Sequence, residues 1–392
     1  MKTIIVGGGI AGLTLAAVLT KLGEDDYVVL EKTSNLREEG AGIQIASNAM
    51  QVMDWLGLRD EVLNIGHMNL GNVYRRLEDD SIVKYVVTGT RLEDIYGVPS
   101  VQVNRQDLAA LLERAIPPSH LRYGAKCVEI REHETSVEVV LENGESIFAD
   151  TVVGADGIHS AVRSAVFGPA KKSLAIAGWR ALIPEEKARS IPLAKWSHVW
   201  FGQGKSAVSY WINGGRHLNF VGTVVTSESQ ARDWRTAGNV KDLQALYTGV
   251  SPVVEDIVSR IESPFITDIF STEPLESYVS GRVALLGDAA HPMMPLLAAG
   301  AGQGIEDAYA LGASLAKSSA PLKSYDELRR ARGNQVQEAS EKMSILYHGT
   351  GADDADINDT GFETDDTAQD ISDFRQWLWG YNVVKVTEDY LK

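Results

Sequence analysis

Cysteine is nearly absent from this sequence. Cys127 is the only one among 392 residues, so no intrachain disulfide can form. Because no Cys/His cluster has the spacing of a zinc site, we predict no metal. A single thiol suits a reducing compartment, and residues from Lys2 onward have the pattern of folded structure, not of a cleaved leader. We therefore expect a cytoplasmic protein.

Long apolar runs and a surplus of positive charge are missing as well. No stretch approaches about 18 unbroken apolar residues, so we expect no membrane span. The 37 Lys and Arg residues are outnumbered by 53 Asp and Glu, which gives a net charge of −16. A surface this acidic repels phosphate backbones, and nucleic acid is therefore excluded as an expected partner.

The chain opens with the pattern of a β-α-β unit. Residues 2–6 and Tyr27–Leu30 are predicted as short buried strands, with a helix from about Leu13 to Leu22 between them. Further buried strands are predicted at Thr151–Val153 and Arg282–Leu286. Buried strands that alternate with helices predict a parallel sheet covered on both faces, as in a Rossmann-type domain.

Other parts of the chain have a different pattern. Polar and apolar residues alternate from about Gly71 to Gly97, and short strand patterns with many tryptophans fill 174–267, which predicts an antiparallel layer. Helices are predicted at Asn104–Ile116, with Asn104 near the N-cap, and at Gly300–Lys317. The predicted fold class is α/β (α+β), a Rossmann-type domain interleaved with an antiparallel-sheet substrate domain and followed by a C-terminal helical tail.

The domain boundaries follow from these patterns. We assign 1–75, 100–173 and 268–345 to the first domain, 76–99 and 174–267 to the sheet domain, and 346–392 to an acidic loop and aromatic tail. Within the last part, 351–370 is predicted to be a mobile loop.

The first motif that carries chemistry is Gly7-x-Gly9-x-x-Gly12. Gly7 permits a tight turn after the strand, Gly9 lets the backbone approach a pyrophosphate, and Gly12 lets the helix pack close to the strand. Glu31 ends the second strand 31 − 12 = 19 positions later, where an acid binds an adenosine ribose. The strand, helix and acid together predict dinucleotide binding; the alternative is a chance glycine turn.

Three more motifs indicate which dinucleotide. They are Gly154-Ala155-Asp156-Gly157 with Arg163 following, Gly287-Asp288-Ala289-Ala290-His291-Pro292, and the stretch Gly300–Ala308. In this order, and with the tail Trp377–Tyr381, the chain resembles the class A FAD-dependent aromatic monooxygenases, in particular the branch with salicylate hydroxylase and 6-hydroxynicotinate 3-monooxygenase. No second GxGxxG with a strand and an acid is present, which fits a nicotinamide cofactor that binds transiently.

The resemblance implies both the reaction and the cofactors. It implies non-covalent FAD, NADH or NADPH as co-substrate, and O2. Oxygen would be transferred through a C4a-hydroperoxyflavin to a small, electron-rich aromatic ring, phenolic or hydroxypyridine-like. Two other functions stay open: a biosynthetic flavin monooxygenase (epoxidase or dearomatase) for a larger apolar substrate, and a flavin-binding redox sensor without turnover.

The resemblance also implies which residues hold FAD. Asp288 is expected at the ribityl or pyrophosphate part, Arg105 at the phosphates or the flavin edge, and the backbone of Cys127 near adenine. Asp156 is expected at the pyrophosphate, and the segment from Gly40 to Gly42 with Gln44 at the isoalloxazine. The complete predicted set is Gly7, Gly9, Ala11, Gly12, Glu31, Lys32, Gly42, Gln44, Arg105, Cys127, Asp156, Asp288, Gly300, Ala301 and Gly302.

Elementary physics supports the last three residues independently. A Gly-rich segment that opens a helix at Gly300–Gly302 presents backbone N–H groups and a positive dipole end, which would stabilise an anionic reduced flavin. The alternative is a flexible Gly-rich loop.

On the substrate side the expected residues are Tyr210, Arg180, Trp211, Leu296 and Leu297. Tyr210 would bind or help deprotonate a substrate hydroxyl, and Arg180 would reach the flavin or an acidic substrate; for both, plain packing is the alternative. Leu296, Leu297 and Gln44 stand where this family usually has histidine or glutamine, which predicts a less polar pocket wall.

Three histidines are expected to have no chemical role. His291, with Pro292, should shape its turn and not act as an acid or base. His198 and His217 should be ordinary strand or surface residues.

Overall fold

A computed structural model of the chain describes residues 1–34, 41–193, 195–202, 204–225, 236–348 and 373–392. Its strands are β1 Thr3–Val6, β2 Tyr27–Leu30, β3 Gly42–Ile45, β4 Gly71–Arg76, β5 Ile82–Val87, β6 Val101–Asn104, β7 Leu121–Arg122, β8 Cys127–Glu132, β9 Val137–Leu141, β10 Ser146–Ala149, β11 Thr151–Gly154, β12 Lys172–Pro184, β13 Trp196–Gly202, β14 Lys205–Ile212, β15 His217–Val225, β16 Thr236–Ala237, β17 Phe265–Thr272, β18 Val279–Ser280 and β19 Val283–Leu285.

The helices lie between and after these strands. They are α1 Ile10–Leu22, α2 Ser47–Leu56, α3 Arg59–Ile65, α4 Thr90–Tyr96, α5 Arg105–Arg114, α6 Ala161–Val166, α7 Glu185–Ala188, α8 Val240–Leu246, α9 Pro252–Ser259, α10 Gly300–Lys317, α11 Pro321–His348, α12 Asp373–Trp379 and α13 Val383–Tyr390. Short 3₁₀ turns occupy Pro118–His120, Asn213–Gly215, Gly287–Ala289 and Pro295–Leu297.

The first sheet has the Rossmann-type arrangement that the sequence predicts. Its strand order is β18-β19-β11-β1-β2-β7, and every pair is parallel except β18–β19. The side chains of β1, β11 and β19 are buried throughout, as expected for strands covered on both faces. Helices α1 and α10 pack against each other beside this sheet. The carboxyl ends of β1, β11 and β19 therefore deliver their three glycine motifs to one edge.

The second sheet has eight strands in the order β16-β17-β12-β15-β14-β13-β4-β5. It is antiparallel except that β13 and β4 run parallel. One face packs on α8 and α9 through a core that includes Trp179, Trp200 and Phe220. Because side chains alternate across each strand, the other face is left to line a cavity against the first domain.

Local sequence signals place several element boundaries correctly. The predicted strand Tyr27–Leu30 and the predicted helix Gly300–Lys317 are observed with the same ends. The Asn104 side chain accepts a hydrogen bond from the Gln106 N–H at 2.9 Å, which confirms it as the N-cap of α5.

Two stretches differ from expectation. The predicted strand region from Gly71 to Gly97 holds β4 and β5 but ends in helix α4, because Leu92, Ile95 and Tyr96 repeat at helical spacing and Gly97 caps the helix at φ 78°. Strand β4 crosses the proposed boundary at 75/76 and belongs wholly to the eight-stranded sheet. The predicted mobile loop at 351–370 and Gly40 lie outside the described residues.

The tail of the chain forms helices α12 and α13, as predicted for a helical C-terminus. No helix in the described ranges is long and apolar enough to cross a membrane. The cytoplasmic location stays a prediction.

Candidate active site

A cavity of about 380 Å³ lies between the glycine motifs of the first sheet and the open face of the second. Several predicted residues lie together in its wall: Gly9, Ala11, Gly42, Gln44, Arg105, Arg180, Tyr210, Asp288, Leu296, Leu297, Gly300 and Ala301. Others do not reach it: Gly7, Gly12, Glu31, Lys32, Cys127, Asp156, Trp211 and Gly302.

The glycine loop after β1 is closed so tightly that side chains are excluded. A Cβ on Gly7, whose φ is 113°, would lie 2.4 Å from the Ala155 carbonyl oxygen. A Cβ on Gly12 would lie 2.1 Å from the Gly7 oxygen. Gly9 is the N-cap of α1 and offers no side chain, so the first N–H groups of the helix face the cavity uncovered. This is the cradle that a pyrophosphate requires.

Glu31 supports this loop from behind. Its Oε2 accepts the Gly8 N–H at 2.7 Å, and its Oε1 accepts the N–H and the hydroxyl of Thr33, both at 2.9 Å. The carboxylate is buried, while the neighbouring Lys32 is exposed. Glu31 therefore fixes the loop conformation whatever else it contacts.

Two charged side chains face the cavity near this loop. A Cβ placed on Gly9 would lie 4.0 Å from the Arg105 guanidinium, and one on Gly300 would lie 3.8 Å from the Asp288 carboxylate. Asp288 is exposed to the cavity on the 3₁₀ turn after β19. Helix α10 begins beside it without a side-chain cap or an acidic residue in its first turn, so its positive end is open to an anion.

Strand β3 brings Gly42 and Gln44 to the cavity. The Gly42 N–H donates to Asn219 Oδ1 at 2.9 Å, and a Cβ on Gly42 would lie 2.8 Å from Tyr210 Cε2. Gln44 Nε2 donates to the Ser100 hydroxyl at 3.2 Å. Strand β3 therefore packs directly against Asn219 and against Tyr210, the sheet residue expected to contact the substrate.

Asp156 and Cys127 have other surroundings. The Asp156 carboxylate accepts the Ser160 hydroxyl at 2.5 Å and the Ala161 N–H at 2.7 Å, so it holds the start of α6 while the backbone of Gly157 reaches the cavity. Burial, together with nearby Asp156, raises the pKa of the Cys127 thiol to about 11. That thiol is therefore a poor nucleophile.

Arg180 and Tyr210 form the polar corner of the sheet face. Both side chains are half-buried at the cavity, and each influences the other electrostatically. Burial raises the pKa of Tyr210, and the Arg180 charge opposes that shift only in part. Burial lowers the pKa of Arg180. The electrostatic interaction with Tyr210 raises that pKa, and the positive charge of Arg105 lowers it. A protonated phenol and a guanidinium thus stand side by side at the cavity.

Another part of the wall is apolar, although polar and charged side chains such as Asn72, Thr267, Asp268 and Arg375 also line the cavity. Leu296 and Leu297 lie in the 3₁₀ turn Pro295–Leu297 and pack with Val199, Met294 and Tyr347. Trp211 lies on the opposite face of β14 from Tyr210, where its indole N–H donates to the Leu193 carbonyl at 3.0 Å. Because successive strand residues point to opposite faces, the prediction that Trp211 contacts the substrate is wrong.

This geometry can be compared with known proteins. The FAD binding domain family matches residues 1–340, and that stretch contains all three glycine motifs described above. The chain belongs to that family.

Curated relatives extend the match to nearly the whole chain. 3-Amino-4-hydroxybenzoate 2-monooxygenase of Streptomyces cremeus is 32% identical over 89% of this chain and 88% of its own length. 3-Hydroxybenzoate 6-hydroxylase 1 of Aquipseudomonas alcaligenes is 32% identical over 97% of this chain and 98% of its own. A salicylate hydroxylase substrate complex has the same fold, with a TM-score of 0.82 at 24% identity over 100% of this chain and 98% of that one.

The predicted class is therefore confirmed: the protein is a FAD-dependent aromatic monooxygenase, an enzyme type that uses NAD(P)H and O2. The residues present fit the cofactor. The loop after β1 has room for phosphates only because it lacks side chains. A dinucleotide also needs hydrogen-bond donors and acceptors, which are supplied by the open helix ends of α1 and α10 and by the Arg105 and Asp288 side chains.

Beneath the cofactor region the enzyme has a buried network of charges that sequence reasoning missed. Asp307 Oδ2 accepts the Gly287 N–H at 3.0 Å and lies 2.5 Å from His291 Nε2, and its Oδ1 accepts from Arg329 Nε at 2.8 Å. Glu306 pairs with Arg329 and Arg332 at 2.7 and 2.8 Å. Asp307 therefore links the His291 side chain to Gly287 at the start of the turn that carries Asp288, in agreement with the turn-shaping role predicted for His291.

Other wall residues were also missed, and they come from distant parts of the chain. Tyr74, Thr267, Tyr347 and Trp379 all line the cavity. The aromatic tail was visible in the sequence, but nothing local connects it to this cavity. For the strand residues the signal was alternation, since Val208 and Ser206, two and four positions before Tyr210 on β14, share its face.

Proposed function

We propose that the enzyme hydroxylates a small phenolic ring that lies against the apolar wall, with the ring's anionic group or ionised oxygen directed to Arg180. The observation that carries this is the Arg180–Tyr210 corner beside Gly42, in a wall that also includes the apolar side chains of Met294, Leu296 and Leu297. A guanidinium at a cavity surface binds carboxylates and ionised oxygens through charge-assisted hydrogen bonds, so the corner favours an acidic or anionic ligand.

FAD would be held by the residues that converge at the edge of the first sheet. We assign the pyrophosphate to the N–H groups at the start of α1 and to Arg105, the ribityl chain to Asp288, and the flavin ring to Gly42, Gln44 and the first turn of α10. The remaining predicted residues would act through these, since Gly7, Gly12 and Glu31 shape the loop. Bound FAD supplies the redox chemistry, taking a hydride from NAD(P)H and activating O2.

Tyr210 would act as a hydrogen-bond donor. Because burial raises the pKa of Tyr210, its hydroxyl stays protonated at neutral pH and cannot serve as a resting base. It would donate to a substrate oxygen while Arg180 stabilises negative charge that develops on the ring. The aliphatic wall would keep water away from the reacting atoms.

A second candidate is a larger, less polar aromatic substrate. The observation that favours it is the run of apolar side chains at Met293, Met294, Leu296 and Leu297, all in the cavity wall. An epoxidase or dearomatase would need such a wall more than a hydroxylase of small acids would.

The test compares Tyr210→Phe with wild type on a panel of hydroxybenzoates and neutral phenols. We expect product formation to fall by about a hundredfold, as for loss of one donor to developing charge, while flavin reduction by NAD(P)H without substrate is unchanged. Tyr85→Phe is the matched control, since Tyr85 is 45% exposed on the edge strand β5. Unchanged product yield in Tyr210→Phe would make that tyrosine a packing residue.

A further inference from the structure

Helix α12 closes the cavity from a part of the chain that the family match does not include. Phe374, Leu378 and Trp379 line the cavity together with Tyr74 and Tyr347. The family match ends at residue 340, whereas α12 spans Asp373–Trp379. The stretch that the family match covers thus supplies the cofactor motifs and the sheet face, and α12, which lies beyond it, supplies this wall.

A single arginine outside the cavity fastens that wall. Arg332 on α11 donates to the carbonyl of Trp377 at 3.1 Å and to that of Leu378 at 2.9 Å. These carbonyls belong to the last turn of α12, where a helix has no partners of its own for them. The Arg332 guanidinium also lies 3.9 Å from the Tyr381 ring centre and 4.6 Å from that of Trp377.

The other side of the same guanidinium is tied to the cofactor domain. Arg332 Nε donates to Glu306 Oε2 at 2.8 Å, and Glu306 is a buried residue of α10. A second bond joins the wall to the frame, since the Ser47 hydroxyl donates to the Trp379 carbonyl at 3.0 Å. Arg332 itself is buried and does not line the cavity.

We propose that α12 is the wall that limits substrate size and that Arg332 is the positioning residue that holds it, so that substrate selection depends on a contact outside the cavity. The inference rests on the proposed function and names the part of the site that selects among aromatic ligands. A planar guanidinium can serve two carbonyls and a carboxylate at once, whereas a lysine ammonium cannot match that geometry.

The experiment measures equilibrium binding to the FAD-loaded enzyme from the change in flavin absorbance. The two probes are 3-hydroxybenzoate and the larger 3-hydroxy-2-naphthoate, and the quantity compared is the ratio of their dissociation constants. We expect Arg332→Lys and Leu378→Ala each to shift this ratio by about tenfold in favour of the naphthoate. Arg330→Lys is the control, because Arg330 lies on the same helix but pairs with Asp326 at 3.4 Å and is 40% exposed.

Each result has one meaning. A shifted ratio in both variants, with the control at the wild-type value, supports both the size-limiting role of α12 and the positioning role of Arg332. A shift only in Leu378→Ala overturns the role of Arg332, and no shift in either overturns the wall itself. If the wild-type enzyme binds neither probe nor any other phenolic compound, the proposed function fails, which is a separate outcome. Leu378→Ala keeps the wall testable even if Arg332→Lys does not fold.

Discussion

Gly42 is the position where the smallest change should disturb the reaction most. A methyl group there would lie 2.8 Å from Asn219 Cγ, 2.8 Å from Tyr210 Cε2 and 3.0 Å from the Tyr210 hydroxyl. Ordinary contact begins near 3.4 Å, so Tyr210 or β3 must move by at least 3.4 − 2.8 = 0.6 Å. In a packed site such a change costs about 1–3 kcal/mol of stability.

The larger effect of Gly42→Ala should be on chemistry. A displacement approaching 1 Å at a reacting site can lower a rate by up to about a hundredfold. We expect the fraction of NAD(P)H consumption that yields hydroxylated product to fall by at least about tenfold, while the protein stays folded in the absence of denaturant. The assay is product by chromatography against NAD(P)H by absorbance, in parallel with denaturant unfolding.

A double-mutant cycle with Tyr210→Phe tests the reason for that effect. If Gly42→Ala acts by moving the tyrosine hydroxyl, its effect on product yield should largely disappear in the Tyr210→Phe background. Additive losses would refute the reasoning and would place the damage in β3 itself.

The remaining predictions concern the cofactor, acid stability and substrate choice. Asp288→Ala should weaken FAD binding by about 5- to 150-fold in titration of the apoprotein, and wild-type affinity would contradict the assignment. Acid precipitation should release all the flavin, since the only thiol, Cys127, is buried with a raised pKa; colour retained in the pellet would show a covalent link. Burial alone would raise the pKa of Asp307, but His291 and Arg329 bring it down to about 2, so ionised Asp307 stabilises the fold above about pH 4 and that contribution is lost as pH falls toward 2. Asp307→Asn should therefore cost stability at pH 7, and its gap to wild type should narrow by about 2 kcal/mol at pH 2; a constant gap in denaturant unfolding would exclude this linkage. Salicylate and 6-hydroxynicotinate should be poor substrates compared with phenols that can reach the arginine corner, and efficient, coupled turnover of salicylate would show that the apolar wall does not select.

The parts of the fold that the sequence predicted are those encoded by neighbours in the chain. The Asn104 cap, the glycine turn at Gly7 and the open start of α10 each depend on a few adjacent residues, and each is observed where expected. The error at 90–96 arose because alternation was extended across a segment whose apolar residues have helical spacing.

The candidate site was less predictable because much of its wall is assembled over long distances. The parallel pairing of β4 with β13 joins residues that no sequence pattern connects. The approach of Trp379 to the cavity is equally remote from any local signal. In contrast, the error at Trp211 was avoidable, because adjacent strand residues such as Tyr210 and Trp211 cannot share a face.

The order of strands in the first sheet has a consequence for synthesis of the protein. Strand β1 is made first, yet its neighbour β11 lies at Thr151–Gly154, and β19, which completes the parallel core, lies at Val283–Leu285. Strand β1 can pair with β2 soon after both are made, but β11 finds its second neighbour, β19, only after the whole eight-stranded sheet has emerged. Such non-local pairing slows folding and leaves aggregation-prone intermediates with exposed apolar surface. The cofactor cradle is complete only once Asp288 and the start of α10 have been made, so bound FAD cannot guide the pairing of the strands before them.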